Sequence, residues 1–469
     1  MRLVKAFRFS LLLIAAVICS SPLAAQQTAA GSGAVLFEGA RLVVGDGSPP
    51  IENSAFIIEN GKFTRVGRKG QIQLPKGAAR VDLTGKTVMP AIIDAHSHLG
   101  YFNERANTDL WTNYRRENLI EQLRRMAYYG VGVTYSMGND GGHGEFPYDL
   151  QAHPVPGATW FRTAGAGIST PGGGQGGARE NSWTHVTTPA EARKAVQELV
   201  SRKPDIVKIW VDDRADRLPP GKTVAPMPPE ISSAIIDEAH KHHLRVAAHI
   251  TYLKDAKELL REGIDGFGHG VRDVDIDDEY IQLLKQHPNT FFTTLLPNKD
   301  GLAGFTEEEI PWIAETLPPV RVKHLHEMLA NQNPQGHTFP YAALTDAEMW
   351  GVQSRNLRRI NQLGLMRIAM GTDAGGGGMM GWNAHTEIAD LVSSGMTPSQ
   401  AIVAATKTAA EILQIDNVVG TIAASKNADF LILEANPLDD ITYTRRILKV
   451  YLRGLEVDRE AIRRDLTKE

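Results

Sequence analysis

An α/β fold, a (β/α)8 TIM barrel joined to a small β-sheet module built from both chain ends, is predicted by two patterns in this 469-residue sequence. Between residues 89 and 413, short strand-like runs alternate with helical segments, so that each strand can lie parallel to the last beneath a covering helix. Outside that region the β-like runs fall at the two ends, in residues 34–88 and 414–469. Half-sets of strands at opposite ends can complete one sheet, because chain termini usually lie close together.

The first residues carry Arg2, Lys5 and Arg8, an apolar stretch from Leu11 to Cys19, and then Pro22-Leu23-Ala24-Ala25 before Gln26. This is the layout of a secretory signal peptide over residues 1–25, its apolar run too short to span a bilayer, and it predicts a periplasmic or secreted protein. Cys19, the only cysteine, lies inside it, and Ile18 suits a lipoprotein site poorly. The mature chain is expected to have neither disulfides nor cysteine ligands. A net charge of -4 and a pI near 6.4 give no footprint for nucleic acid or an anionic membrane, which leaves a small molecule as the expected partner.

The N-terminal strand runs are VLFEGARLVV, SAFIIENGKFTRVG and ARVDLTGKTV, with Asn60-Gly61 as a hairpin turn, and their C-terminal counterparts are NADFLILEANP and ILKVYLRGLEV. In the barrel region the strand candidates are VMPAIIDAHSH, GVGVTYSM, DIVKIWV, RVAAHI, GIDGFGHG, TFFTTLL and MRIAMGTDA. Capping boxes at Thr188–Glu191 and Thr397–Gln400 announce helices. Residues 297–350 exceed an ordinary loop and read either as a helical insertion over the barrel mouth or as packing decoration.

His96 and His98 stand one residue apart after an apolar run, so strand alternation sends both imidazoles to one side, half a site for a divalent metal. His249, His269 and Asp373 end further strand candidates. Each alone has a structural explanation, a satisfied buried histidine or a helix-capping aspartate. Together with Lys208 they make a ligand set for two metals. Lys208 is flanked by Ile206, Val207, Ile209 and Trp210, and burial lowers a lysine pKa until the neutral amine is accessible. A neutral amine can capture carbon dioxide as a carbamate able to bridge two cations, whereas a rim lysine would snorkel to solvent.

Tyr135, Asn139, Arg272 and His385 flank strand ends or the Gly375 to Gly378 loop and are candidates for substrate contact, against ordinary loop polarity. Arg179 and the run Gly172 to Gly177 form a loop without the lysine-serine/threonine of a phosphate-binding motif. His240, His242 and His243 end a helix at the far end of the barrel and read as solvated capping. His324 and His326 have no acid at ligand spacing.

The motifs VMPAIIDAHSHLG, VKIW, AAHI, GHG and GTDAG, with the tail MTPSQAIVAATKTAAEILQIDNVVGTIAASKNADFLILEANPLDDI, resemble the amidohydrolase superfamily from about Val35 to Val457. Within it they are similar to the imidazolonepropionase-related subgroup that includes Xaa-Pro dipeptidase-like and ochratoxin-hydrolysing enzymes. The resemblance implies a distorted barrel with a composite β-sandwich. It implies that His96, His98 and Asp373 bind one divalent metal, His249 and His269 a second, with N6-carboxylated Lys208 bridging them and zinc the expected ion. It further implies attack on an amide by a metal-bridging hydroxide, with Asp373 moving the proton, a dipeptide, N-acyl amino acid or ochratoxin-like aryl-amide as substrate, and a homo-oligomer.

Two other readings are carried. A mononuclear cyclic-amide hydrolase or deaminase would generally place a glutamate a few residues beyond the strand-5 histidine, yet after His249 no acid occurs until Asp255. A non-catalytic scaffold would have lost ligands, and here every ligand position is filled. N-terminal sequencing of the exported protein is expected to begin at or next to Gln26.

Overall fold

The computed structural model describes residues 33–73, 75–214, 222–294, 305–331, 338–339, 344–375 and 379–468. The leader expected over residues 1–25, with Cys19, and positions 376–378 of the glycine loop lie outside the described residues.

Eight strands share one direction: β1 (Ile92–Ser97), β2 (Val131–Ser136), β3 (Trp160–Thr163), β4 (Ile206–Trp210), β5 (Arg245–His249), β6 (Gly266–Phe267), β7 (Phe291–Thr293) and β8 (Arg367–Ala369). The first three form one sheet, and β4 to β8 form the larger part of a second. Backbone contacts join the two sheets at both margins. Ala95 N–H donates to Met370 O at 3.0 Å just beyond β8, and Gly167 N–H donates to Gly138 O at 2.8 Å beyond β2. The result is a TIM-barrel-like α/β arrangement. β1, β2 and β4 are buried along their whole length, which explains why their sequences read as apolar runs rather than alternating ones. Parallel order brings all the strand C-termini to one side, and with them His96, His98, His249, His269 and Asp373.

The capping boxes at Thr188 and Thr397 form as the sequence predicts, opening the helices Pro189–Val200 and Pro398–Val403. A further box, Thr345 with Glu348, opens the helix Asp346–Leu363 that leads into β8. The barrel helix therefore begins inside the segment read as an insertion, which corrects its boundary at 350. The described part of that segment packs on the first barrel helix, Arg116–Tyr128, and the residues next to it: Tyr129 donates to Ile313 O at 2.9 Å, and Tyr128 donates to Glu315 at 2.6 Å. Arg321 meets the buried Glu104 at 2.8 Å beside it.

The chain ends meet in a five-stranded sheet in which Thr87–Pro90 pairs antiparallel with Phe430–Leu433. A four-stranded sheet of N-terminal strands faces it, turned at Asn60 (φ 51°) and Gly61 (φ 76°) as the Asn-Gly pair predicts. Phe37, Phe56, Phe63, Val88, Phe430 and Tyr451 form a shared core between them. Phe430 stacks on Tyr451 with centroids 4.6 Å apart and meets Phe37 edge-on at 5.5 Å. Phe430→Ala is expected to destabilise the protein by about 3–5 kcal/mol, read as a lowered urea midpoint.

Candidate metal centre

The donors gather where the strands end. His98 Nε2 lies 3.1 Å from His96 Nε2 and 2.8 Å from Asp373 Oδ1, which is 3.5 Å from His96 Nε2. Donor atoms of His96, His269 and Asp373 all lie within 4.8 Å of one another. The His269 ring stacks on His96 at 4.8 Å and meets His249 edge-on at 4.8 Å.

His96 Nδ1 sits 2.9 Å from Gly268 O, and a carbonyl can only accept, so Nδ1 carries the proton and Nε2 offers its lone pair toward His98 and Asp373. Burial pushes the His98 imidazole down to about 4, with Asp373 opposing, and holds His96 and His269 well below the ordinary histidine range. Neutral imidazole is the metal-ligand form.

Lys208 is wholly buried, and its Nζ has no hydrogen-bond partner among the described residues. The same holds for His98 Nδ1 and His269 Nδ1. Burial pushes the Lys208 amine down to about 7, against the opposing pull of Asp373 and Asp212. Two glycines make room for this side chain. A Cβ on Gly268 would stand 2.3 Å from Nζ, and one on Gly138 3.0 Å from the Lys208 Cβ. Converging neutral imidazoles, a carboxylate and unsatisfied buried nitrogens form a donor set that fits divalent cations.

His249 stands beside His269, and its Nε2 lies 3.1 Å from Asp212 Oδ2. Arg272 Nη2 approaches the same nitrogen at 3.5 Å and Thr251 Oγ1 at 3.3 Å.

The profile of the Amidohydrolase family matches residues 182–457. The chain belongs to the amidohydrolase family. As such the enzyme is a hydrolase acting on C–N bonds, in a family that is generally metal-dependent. Ochratoxinase of Aspergillus niger is 24% identical over 447 residues, covering 85% of this chain and 81% of its own. A solved Xaa-Pro dipeptidase with methionine in its active site has a TM-score of 0.69 at 20% identity, covering 90% of this chain and 99% of its own. Molinate hydrolase has a TM-score of 0.70 at 19% identity, covering 92% and 96%. These two structures bear on the amidohydrolase's fold.

Two expected substrate contacts are corrected by the structure. Tyr135 is fully buried within the barrel, its hydroxyl donating to Ile206 O and accepting from Ile206 N, both at 2.8 Å, where β4 begins. It packs with Ile93, Ala95 and Phe291 in a core layer. His385 is buried in the helix Trp382–Ser393, with its nitrogens 3.0 Å from Thr444 Oγ1 and 2.8 Å from Tyr129 O, so both are already engaged in packing. Asn139 is buried beyond β2, next to Gly138, with its amide donating to Gln175 at 2.8 Å. Arg179 reaches the carbonyl of Gly375 at 3.1 Å and Asp109 at 2.8 Å. His240 is paired with Asp265 at 2.8 Å at the end of the helix preceding β5. His324 and His326 lie on Pro319–Ala330 beside Glu327 and Glu307.

Sequence reasoning missed Asp94, Asp212 and Gly268. Asp94 stands two residues before His96 and so faces the same side of β1, a signal that alternation alone could have raised. Gly268→Ala is expected to force Lys208 out of its slot and lower the metal content of the folded protein, as measured by elemental analysis.

Proposed function

We propose that this amidohydrolase is a secreted hydrolase that cleaves an amide or peptide bond in a small molecule with the help of two divalent metal ions, zinc being the expected metal. The observation that carries the reading is the Lys208 amine, buried, without a partner among the described residues, and held down to about 7. At that value a large share of the amine is neutral near physiological pH and open to carboxylation. His96, His98 and Asp373 would hold one cation, His249 and His269 the other, with carboxylated Lys208 between them. Cations held there supply Lewis acidity, polarising a carbonyl and making water acidic enough to attack at neutral pH.

The chain's own groups do the rest. Asp373 accepts the proton of the attacking water and returns it to the departing amine. Apolar burial around Lys208 keeps bulk water from the amine. Arg272 places positive charge beside His249, where it would attract a substrate carboxylate. Kinship with ochratoxinase and likeness to an Xaa-Pro dipeptidase support an aryl-amide, N-acyl amino acid or dipeptide as substrate.

A one-ion site, as in a cyclic-amide hydrolase or deaminase, is favoured by one observation: donor atoms of His96, His98 and Asp373 converge, while His249 Nε2 lies 3.1 Å from Asp212 Oδ2. Metal stoichiometry decides between them. Purified wild type is expected to carry two ions per chain and to hydrolyse members of a panel of N-acyl amino acids, X-Pro dipeptides and aryl-amides. Lys208→Ala is expected to lose the second ion and the activity. One ion per chain, indifferent to Lys208, would overturn the two-ion reading.

A further inference from the structure

Of the six donors, Asp373 alone has a left-handed backbone, with φ 51°. A non-glycine residue stays in that region only where its surroundings hold it. Here the hold can be traced bond by bond. Thr372 and Asp373 both donate their backbone N–H to His96 O, at 3.1 Å and 2.8 Å. The wholly buried Asp94 carboxylate accepts from Thr372 N at 3.0 Å, from Thr372 Oγ1 at 2.6 Å and from His96 N at 3.2 Å. Thr372 Oγ1 in turn accepts from Ala374 N at 3.1 Å, so one hydroxyl ties the residues on either side of Asp373.

Steric limits close the turn. A Cβ on Gly371 would lie 2.7 Å from the His96 Cβ, and one on Gly375 would lie 1.9 Å from His98 O. The hydrogen bonds that Asp94 accepts come from two backbone N–H groups and the threonine hydroxyl.

We infer that Asp94 and Thr372 are positioning residues, a carboxylate–hydroxyl latch between β1 and the turn after β8 that fixes Asp373 in its left-handed conformation and so sets its carboxylate against His98 and His96. The inference rests on the reading of Asp373 as a metal donor, but the latch itself is a statement about backbone geometry. Its consequence is that the first half-site is preorganised by two residues that touch no donor atom of the imidazoles.

Thr372→Val keeps the shape of the side chain and removes the hydroxyl, while Thr372→Ser keeps the hydroxyl. On the mature full-length chain, a crystal structure of metal-free Thr372→Val is expected to show Asp373 released from the left-handed region and displaced from His98. Zinc affinity, measured by chelator competition, is expected to fall about 10–100-fold. Thr372→Ser is expected to restore both. Should Thr372→Val not fold, Asp94→Asn, which keeps the shape and loses one acceptor, carries the same two measurements. An Asp373 that keeps its φ and its place in the variant overturns the latch, as does unaltered zinc affinity. If the wild type itself bound no zinc, the metal reading would fall, and the Asp373 conformation in the variant crystal would still decide the latch.

Discussion

Lys208 carries an amine into a part of the barrel where its neighbours Val207, Ile209 and Trp210 are all buried, and much of the site follows from what that placement demands. An ammonium there loses its hydration without a hydrogen bond in return, so the neutral form gains ground. Space for the side chain is made by removing atoms elsewhere, at Gly138 and Gly268. His96, His98 and His269 face the same desolvation and are held toward the neutral form, which at His96 leaves the Nε2 lone pair pointing inward. Buried nitrogens without partners cost free energy on the order of 1–3 kcal/mol each, and a bound cation is the natural way to recover it. Binding of that kind to the folded state alone also stabilises the fold by mass action.

The scaffold around this site is tied at several distant points of the chain. Strand Phe430–Leu433 enters a sheet beside Thr87–Pro90, directly before β1, so the C-terminal region braces the strand that carries His96. The last helix, Arg459–Leu466, docks on the first barrel helix, where Arg124 meets Asp465 at 3.0 Å and Arg459 donates to Tyr128 O at 3.0 Å. Glu104, Arg125 and Arg321 form a buried charged group under the described part of the long segment before β8. Burying such charges contributes little net stability, since desolvation offsets much of the attraction, but losing one member would strand the others. That group therefore fixes where the segment sits more than how tightly the domain folds.

Preorganisation runs through the site at the level of the backbone. His96 receives its orientation from the carbonyl of Gly268 just beyond β6, Asp373 from bonds to β1, and Lys208 from gaps left by Gly138 beyond β2 and Gly268 beyond β6. Each of these three donors is thus placed by a segment other than its own strand. A parallel barrel achieves this because its strand C-termini gather on one side.

What the sequence determined by itself is chemical and local. Alternation paired His96 with His98, apolar flanks marked Lys208 as buried, capping residues marked helix starts at Thr188 and Thr397, and Asn60-Gly61 marked a hairpin. Tertiary structure decided depth and partnership. Tyr135 and His385 have the residue types and positions of substrate contacts, yet one is sealed in a core layer and the other is spent on Thr444 and Tyr129. Asp94 and Thr372 are 278 residues apart in sequence, and Asp212 meets its histidine only across adjacent strands. Periodicity reports which side of a strand a residue faces. How far along the barrel it stands, and what stands opposite, depends on the register of strands that no local pattern encodes.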